Sequence, residues 1–127
     1  MVKRILIVDD DADVRLTVRT ILSSAGYEVL EASTGEEARQ RLQTERVDLA
    51  VLDVMMDTDT DGLHLAYHIR SQKKLQDLPI ILFTCIEEKT GLAFDLQSSG
   101  DYLPAQAFLR KPVEPEELKR EVARLLA

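Results

Sequence analysis

The chain reads as an α/β domain: a doubly wound, five-stranded parallel sheet of (βα)5 order with helices on both faces. Three observations predict this. Short runs rich in Ile, Leu and Val alternate with helix-length amphipathic segments. Several of those runs, such as Ile5-Leu6-Ile7-Val8, Leu49-Ala50-Val51-Leu52 and Ile80-Ile81-Leu82-Phe83, are apolar throughout, the pattern of strands buried on both faces of a parallel sheet. Four runs end in polar or charged residues: Asp9 and Asp10, Asp53, Thr84 and Lys111. Open α/β sheets bind ligands outside the carboxyl ends of their strands, so these side chains are expected to meet in one crevice.

The elements follow in order. Residues 3–9 read as the first strand. The first helix should run from about Asp11 to Ala25, with Val14, Val18, Ile21 and Leu22 on one face and Gly26 closing it. Asp11 and Asp13 read as first-turn acids of this helix. The second strand is expected over Tyr27–Glu31. Thr34 followed by Glu37 forms a capping box and starts a helix reaching about Gln43, with Ala38 and Leu42 inward. The third strand is expected over Val47–Asp53, then a polar loop at 56–62 and a helix over Leu63–Lys73. Ile80–Thr84 reads as the fourth strand. A further helix is expected to begin near Glu87, in a stretch punctuated by Gly91, Gly100 and Pro104. Ala107–Arg110 reads as the fifth strand. Pro115 and the acids Glu114, Glu116 and Glu117 suit the first turn of a last helix reaching about Leu125.

With 127 residues, 45% of them hydrophobic, the chain has the length and apolar content of one packed domain over 1–127. The net charge of -7 argues against a general binder of nucleic acid or of membrane surfaces. One cysteine, Cys85, excludes an intramolecular disulfide, and no Cys/His spacing suits zinc. The apolar run after Met1-Val2-Lys3-Arg4 is cut short by Asp9-Asp10-Asp11, so it is no secretory core. No stretch reaches the roughly 20 apolar residues of a membrane span. A cytoplasmic location is expected.

The strand-end set suits a divalent cation and a phosphoryl group. Asp53 is the expected nucleophile. A carboxylate attacks an anionic phosphoryl group poorly unless a cation neutralises the repulsion. Asp9 and Asp10 are expected to supply an acidic corner for Mg2+, or Mn2+, which prefer octahedral oxygen ligation by carboxylates, a carbonyl and waters, the carbonyl coming from Met55. Lys111 is expected to pair with the carboxylate and then the phosphate, and Thr84 to donate its hydroxyl to a phosphate oxygen. Singly, each has a plain alternative: an Asp at a strand end is a common cap or turn residue, Thr84 an ordinary strand residue, Lys111 a solvated lysine. Their joint placement at four strand ends carries the reading.

With these residues in hand, the chain resembles the receiver domain of two-component response regulators over its whole length. The matching pieces are Val8-Asp9-Asp10, Asp53, Asp61-Gly62, Thr84 and Lys111-Pro112. The resemblance implies a chemotaxis-receiver-like, flavodoxin-like fold. It implies phosphorylation of Asp53 by a histidine kinase or phosphotransfer protein, Mg2+ at Asp9, Asp10, Asp53 and the Met55 carbonyl, and a cis Lys111–Pro112 peptide. It further implies a switch in which Thr84 moves toward the phosphate and Phe108 turns inward. The surface formed by the fourth helix, fifth strand and last helix would then change for a downstream protein target. Phe108 is equally readable as a core residue. No enzyme activity beyond self-phosphorylation and dephosphorylation is expected, and the oligomeric state is a monomer or a phosphorylation-dependent dimer.

The sequence departs from the family pattern in places. Met56 is followed by Asp57 where proline is frequent, and the loop to Asp61-Gly62 is longer. The stretch from Thr84 to Lys111 is also longer, so the fourth helix and the output surface it belongs to are expected to differ from the family's. Met55 and Ile86 occupy positions that tune aspartyl-phosphate hydrolysis. Two apolar residues there hinder placement of the attacking water, so the phosphoryl state should outlive that of chemotaxis-type receivers. Loss within seconds to a minute in a phosphate-release assay would contradict this. Cys85 stands where the family prefers a small residue.

Other functional classes fit these residues less well. Asp57-Thr58-Asp59-Thr60-Asp61-Gly62 resembles the start of an EF-hand loop, but His68 stands where a bidentate Glu is needed. His64 and His68 share a helical face without a third zinc ligand. An aspartyl phosphatase needs substrate elements for which this length leaves no room. The alternative reading is a pseudo-receiver, a constitutive protein-binding module of the same fold that is not phosphorylated. No output domain follows Leu126-Ala127, so signalling through protein contact, or a fragment of a larger regulator, are both compatible with the sequence.

Overall fold

The computed structural model describes residues 2–53, 61–75, 77–84, 107–110 and 114–126, with no side-chain description at 61–64, 74, 84, 108 and 110. Five strands, β1 (Arg4–Val8), β2 (Glu28–Ala32), β3 (Leu49–Asp53), β4 (Ile80–Thr84) and β5 (Ala107–Arg110), form one sheet. Every pairing is parallel and the order is β2-β1-β3-β4-β5. Four α-helices lie among the described residues: α1 (Ala12–Ser24), α2 (Gly35–Thr44), α3 (Asp61–Ser71) and α4 (Pro115–Leu126), with a 3-10 turn at Lys73–Leu75. The helix expected from Glu87 lies outside the described residues.

Strand alternation explains the two-sided core. Leu6, Val8, Ala50, Leu52, Ile80 and Leu82 face one side, where they meet Ala38 and Leu42 of α2 and Leu65, Ala66 and Ile69 of α3. Ile5, Ile7, Leu49, Val51, Ile81 and Phe83 face the other and meet Val18 and Leu22 of α1 and Leu118 and Val122 of α4. Every residue of β3 is buried, as a central strand covered on both faces requires.

The helix ends follow local chemistry. Asp11 is the N-cap of α1, its carboxylate accepting from the Asp13 N–H at 2.9 Å. At the other end Tyr27 N–H donates to Leu22 O and Gly26 N–H to Ser23 O. With Gly26 at φ +97°, this is a Schellman motif, and the left-handed turn there is open to glycine without a Cβ clash. Thr34 caps α2 as expected, accepting from Glu37 N–H at 3.1 Å. Glu37 reaches one residue further back than an ideal capping box, accepting the Ser33 N–H at 2.6 Å. That bond holds the Glu37 carboxyl below its usual range.

At the opposite end of the sheet from the polar strand ends, Asp48 ties β1 to β3. Its Oδ2 accepts from Arg4 N–H at 2.8 Å and from Arg46 Nη1 at 2.5 Å. Burial alone would push the Asp48 carboxyl up; the Arg4 N–H, the Arg46 guanidinium and Lys3 outweigh it and hold it below its ordinary value. A carboxyl depressed in the folded state adds stability above its unfolded pKa and loses it as pH falls through the folded value. Thermal midpoints should therefore decline on acidification through the carboxylate range, and Asp48→Asn should flatten that slope. An unchanged slope in the variant would show that Asp48 contributes nothing to it.

Candidate functional site

The strand order places a topological switch point between β1 and β3. From β1 the chain steps outward to β2, then returns across β1 to β3. The crevice outside the carboxyl ends of those two strands is where such sheets bind ligands. Asp53 is the last residue of β3, and Asp9 directly follows β1. Val8 pairs with Leu52, so Asp9 and Asp53 stand side by side at strand spacing. Alternation puts Asp9 on the face of Ile5 and Ile7, and Asp53 on the face of Leu49 and Val51. The register alone thus brings the two carboxylates together on the α1 and α4 side.

Asp10 joins them. One carboxylate oxygen from each of Asp9, Asp10 and Asp53 lies within 4.8 Å of the others. Asp9 is 1% exposed and Asp53 5%, while Asp10 opens to solvent. Asp9 is held from several directions. Its N–H donates to Ala32 O at 3.1 Å, prolonging the β1–β2 ladder. Its Oδ1 accepts from Asp11 N–H at 2.9 Å. Its carbonyl oxygen accepts from Arg15 Nη1 at 2.5 Å.

Three hard oxygen donors, two of them buried and all of like charge, fit a small divalent cation. Anionic groups drawn this close in a partly dehydrated site repel one another, and a cation reverses that cost. Hence the sequence-expected Asp9, Asp10 and Asp53 converge. Thr84 closes β4, with Arg110 as its strand partner on β5, and Lys111 is the next residue in the chain. The side chains of Thr84 and Phe108, and Met55, Cys85, Ile86, Lys111 and Pro112 entirely, lie outside the described residues. Sequence reasoning passed over Arg15 and Glu31. The available signal was the pair Arg15 and Arg19, one helical turn apart on α1, facing an acid at the end of the neighbouring strand.

A doubly wound parallel sheet with three carboxylates at its switch point is the architecture of a receiver domain. The chain belongs to the response regulator receiver domain family, which it matches over residues 5–123. It is 39% identical over 124 residues to the transcriptional regulatory protein GltR of Pseudomonas aeruginosa, covering 98% of this chain and 49% of that one. It is 35% identical over 126 residues to the alkaline phosphatase synthesis transcriptional regulatory protein PhoP of Bacillus subtilis, covering 99% and 49%. The chain thus spans about half the length of these curated relatives. Among solved structures, it superposes on the chemotaxis response regulator CheY4 of Vibrio cholerae with a TM-score of 0.81 at 32% identity, covering 99% of this chain and 100% of that one. The response regulator TrrA of Thermotoga maritima, solved in complex with Mg2+-BeF, gives a TM-score of 0.80 at 36% identity and covers 98% and 99%. The expected receiver fold and two-component class therefore stand. No helix among the described residues is long and apolar enough to cross a membrane.

Proposed function

We propose that this chain, over residues 1–127, is a phosphoacceptor receiver that takes a phosphoryl group onto Asp53 from a histidine kinase or phosphotransfer protein. The observation that carries the reading is the convergence of Asp9, Asp10 and Asp53 at the β1/β3 switch point, with Asp53 buried. An Asp53 carboxylate oxygen attacks phosphorus, the bond from phosphorus to the donor's imidazole nitrogen breaks, and the imidazole leaves. An acyl phosphate remains on Asp53. Hydrolysis reverses the charge flow: water attacks phosphorus, the Asp53 carboxylate departs, and inorganic phosphate is released.

Mg2+, or Mn2+, held by Asp9, Asp10, Asp53 and the Met55 carbonyl, would supply charge neutralisation at the phosphoryl oxygens. The likeness to a receiver solved with Mg2+-BeF supports that assignment. Asp9 contributes a carboxylate aimed by its bond to Asp11 N–H. Lys111 is assigned the second positive charge, and Thr84 the hydroxyl that follows the phosphate. Thr84 and Phe108 are assigned the switch that alters the surface of β5, α4 and the segment between β4 and β5 for a protein target. The chain's charge of -7 supports a segment that itself lacks a DNA-binding face. The relatives named as transcriptional regulators extend well beyond the span matched here.

The test is intact mass after incubation with acetyl phosphate. Wild-type protein should gain one phosphoryl group with Mg2+ and none without it, and Asp53→Asn should gain none in either condition. No gain in the wild type, together with no Mg2+ binding, would favour the constitutive pseudo-receiver instead.

A further inference from the structure

Arg15 completes the first turn of α1, and its side chain reaches back past the helix start. Nη1 donates to the Asp9 carbonyl oxygen at 2.5 Å, and Nε bonds Glu31 Oε1 at 3.3 Å. Arg19, one turn further along α1, holds the other oxygen of Glu31 at 2.8 Å. Glu31 sits near the end of β2, paired with Ile7 two residues before Asp9. One guanidinium therefore joins three elements at the carboxyl end of the sheet: the β1–α1 turn, α1 and β2. The Arg15 side chain is 19% exposed and that of Glu31 28%, enough burial to favour a defined geometry over a solvated pair.

We infer that Arg15 is a positioning residue for the metal site: clamped by Glu31, it fixes the Asp9 carbonyl and so the direction in which the Asp9 carboxylate points. The inference rests on the reading of Asp9 as a Mg2+ ligand. Asp9 bridges to β2 through its N–H on Ala32 O and then enters the turn before α1, so the partner its carbonyl meets there helps to fix the orientation of its peptide plane. Arginine suits this task because its planar fork donates in two directions at once, which an ammonium on a flexible stem does not do. Beside the pair lies a cleft of about 190 Å3 lined by Arg15, Glu31, Ala32, Ser33 and Glu37. Truncating Arg15 therefore opens toward existing space and leaves no sealed void in the core.

The sign of the effect separates positioning from charge. If Arg15 acted only as a nearby positive charge, its removal would tighten Mg2+ binding. If it orients Asp9, removal weakens binding, by about tenfold or more as for other residues that hold metal ligands in place. The experiment is calorimetric titration of the full chain with Mg2+, paired with urea denaturation in its absence, for wild type, Arg15→Ala, Arg15→Lys, Glu31→Gln and Arg15→Ala/Glu31→Gln. Leu42→Ala, on the far face of the sheet, controls for stability loss alone. Arg15→Ala is expected to weaken Mg2+ binding well beyond the control, Arg15→Lys to restore little, and Glu31→Gln to have a smaller effect that vanishes in the double variant. Unchanged or tighter Mg2+ binding in Arg15→Ala, or a loss matched by Leu42→Ala, would overturn the inference while leaving the Asp9 assignment intact. Absence of Mg2+ binding by the wild type would overturn both.

Discussion

Asp9→Asn should melt above the wild type in Mg2+-free buffer and gain much less from added Mg2+. The substitution keeps an Oδ1 to accept the Asp11 N–H, so the turn after β1 is preserved. What it removes is one negative charge, 1% exposed, from a cluster of three carboxylates within 4.8 Å of one another. Two like charges about 4 Å apart repel by up to about 4 kcal/mol at an effective dielectric constant of about 20. Asp10 is open to solvent, and Asp9 and Asp53 have further interactions of their own. The net gain is therefore placed on the order of 1–2 kcal/mol, several degrees in midpoint for a domain of this size. Stabilisation by Mg2+ grows with the ratio of its concentration to its dissociation constant, so losing one ligand and one charge should remove most of it. Differential scanning calorimetry with and without Mg2+ reads both effects. A variant that melts lower without metal, or responds to Mg2+ as strongly as the wild type, would mean these carboxylates are not strained toward a cation.

The largest stability loss is expected from Leu52→Ala. Leu52 is fully buried in the central strand and belongs to the cluster that joins the sheet to α2 and α3. Removing its side chain forfeits transfer free energy and leaves a cavity, about 2–5 kcal/mol in comparable cores. A domain of this kind has roughly 5–15 kcal/mol in total. The consequence reaches the site, because Leu52 immediately precedes Asp53 and pairs with Val8, which precedes Asp9. Urea denaturation should show a lower midpoint at an unchanged slope. A loss under about 1 kcal/mol would mean that β3 is packed more loosely than its burial indicates.

Much of this architecture was legible in the chain. β4 and β5 fall at the expected residues, and β1 within one residue at each end, because unbroken apolar runs stop abruptly at polar residues. β2 lies one residue later than expected. It is an edge strand in which Glu28 and Glu31 interrupt the apolar pattern, so its limits are set by pairing with β1. β3 begins at Leu49, two residues after the expected start, because Asp48 turns its side chain to the Arg4 N–H. α3 begins at Asp61, two residues before Leu63, where an acid at the positive end of the helix dipole is favourable. The three carboxylates were readable because strand ends in a parallel sheet share one edge. Of the Arg15–Glu31 clamp only the two arginines one turn apart were legible; their partner depends on how α1 lies over the end of β2, which no periodicity encodes. The assignments at Met55 and Lys111, and the side-chain roles of Thr84 and Phe108, continue to rest on the sequence pattern.

The most direct test of the central claim is to locate the phosphoryl group. The protein would be incubated with acetyl phosphate and Mg2+, and the acyl phosphate reduced with borohydride, which converts an aspartyl phosphate to homoserine. Peptides are then sequenced by mass spectrometry. The account predicts homoserine at position 53 alone, with Asp9 and Asp10 intact. Homoserine at position 9 or 10 instead, or at none of the three in protein shown to bind Mg2+, would contradict it.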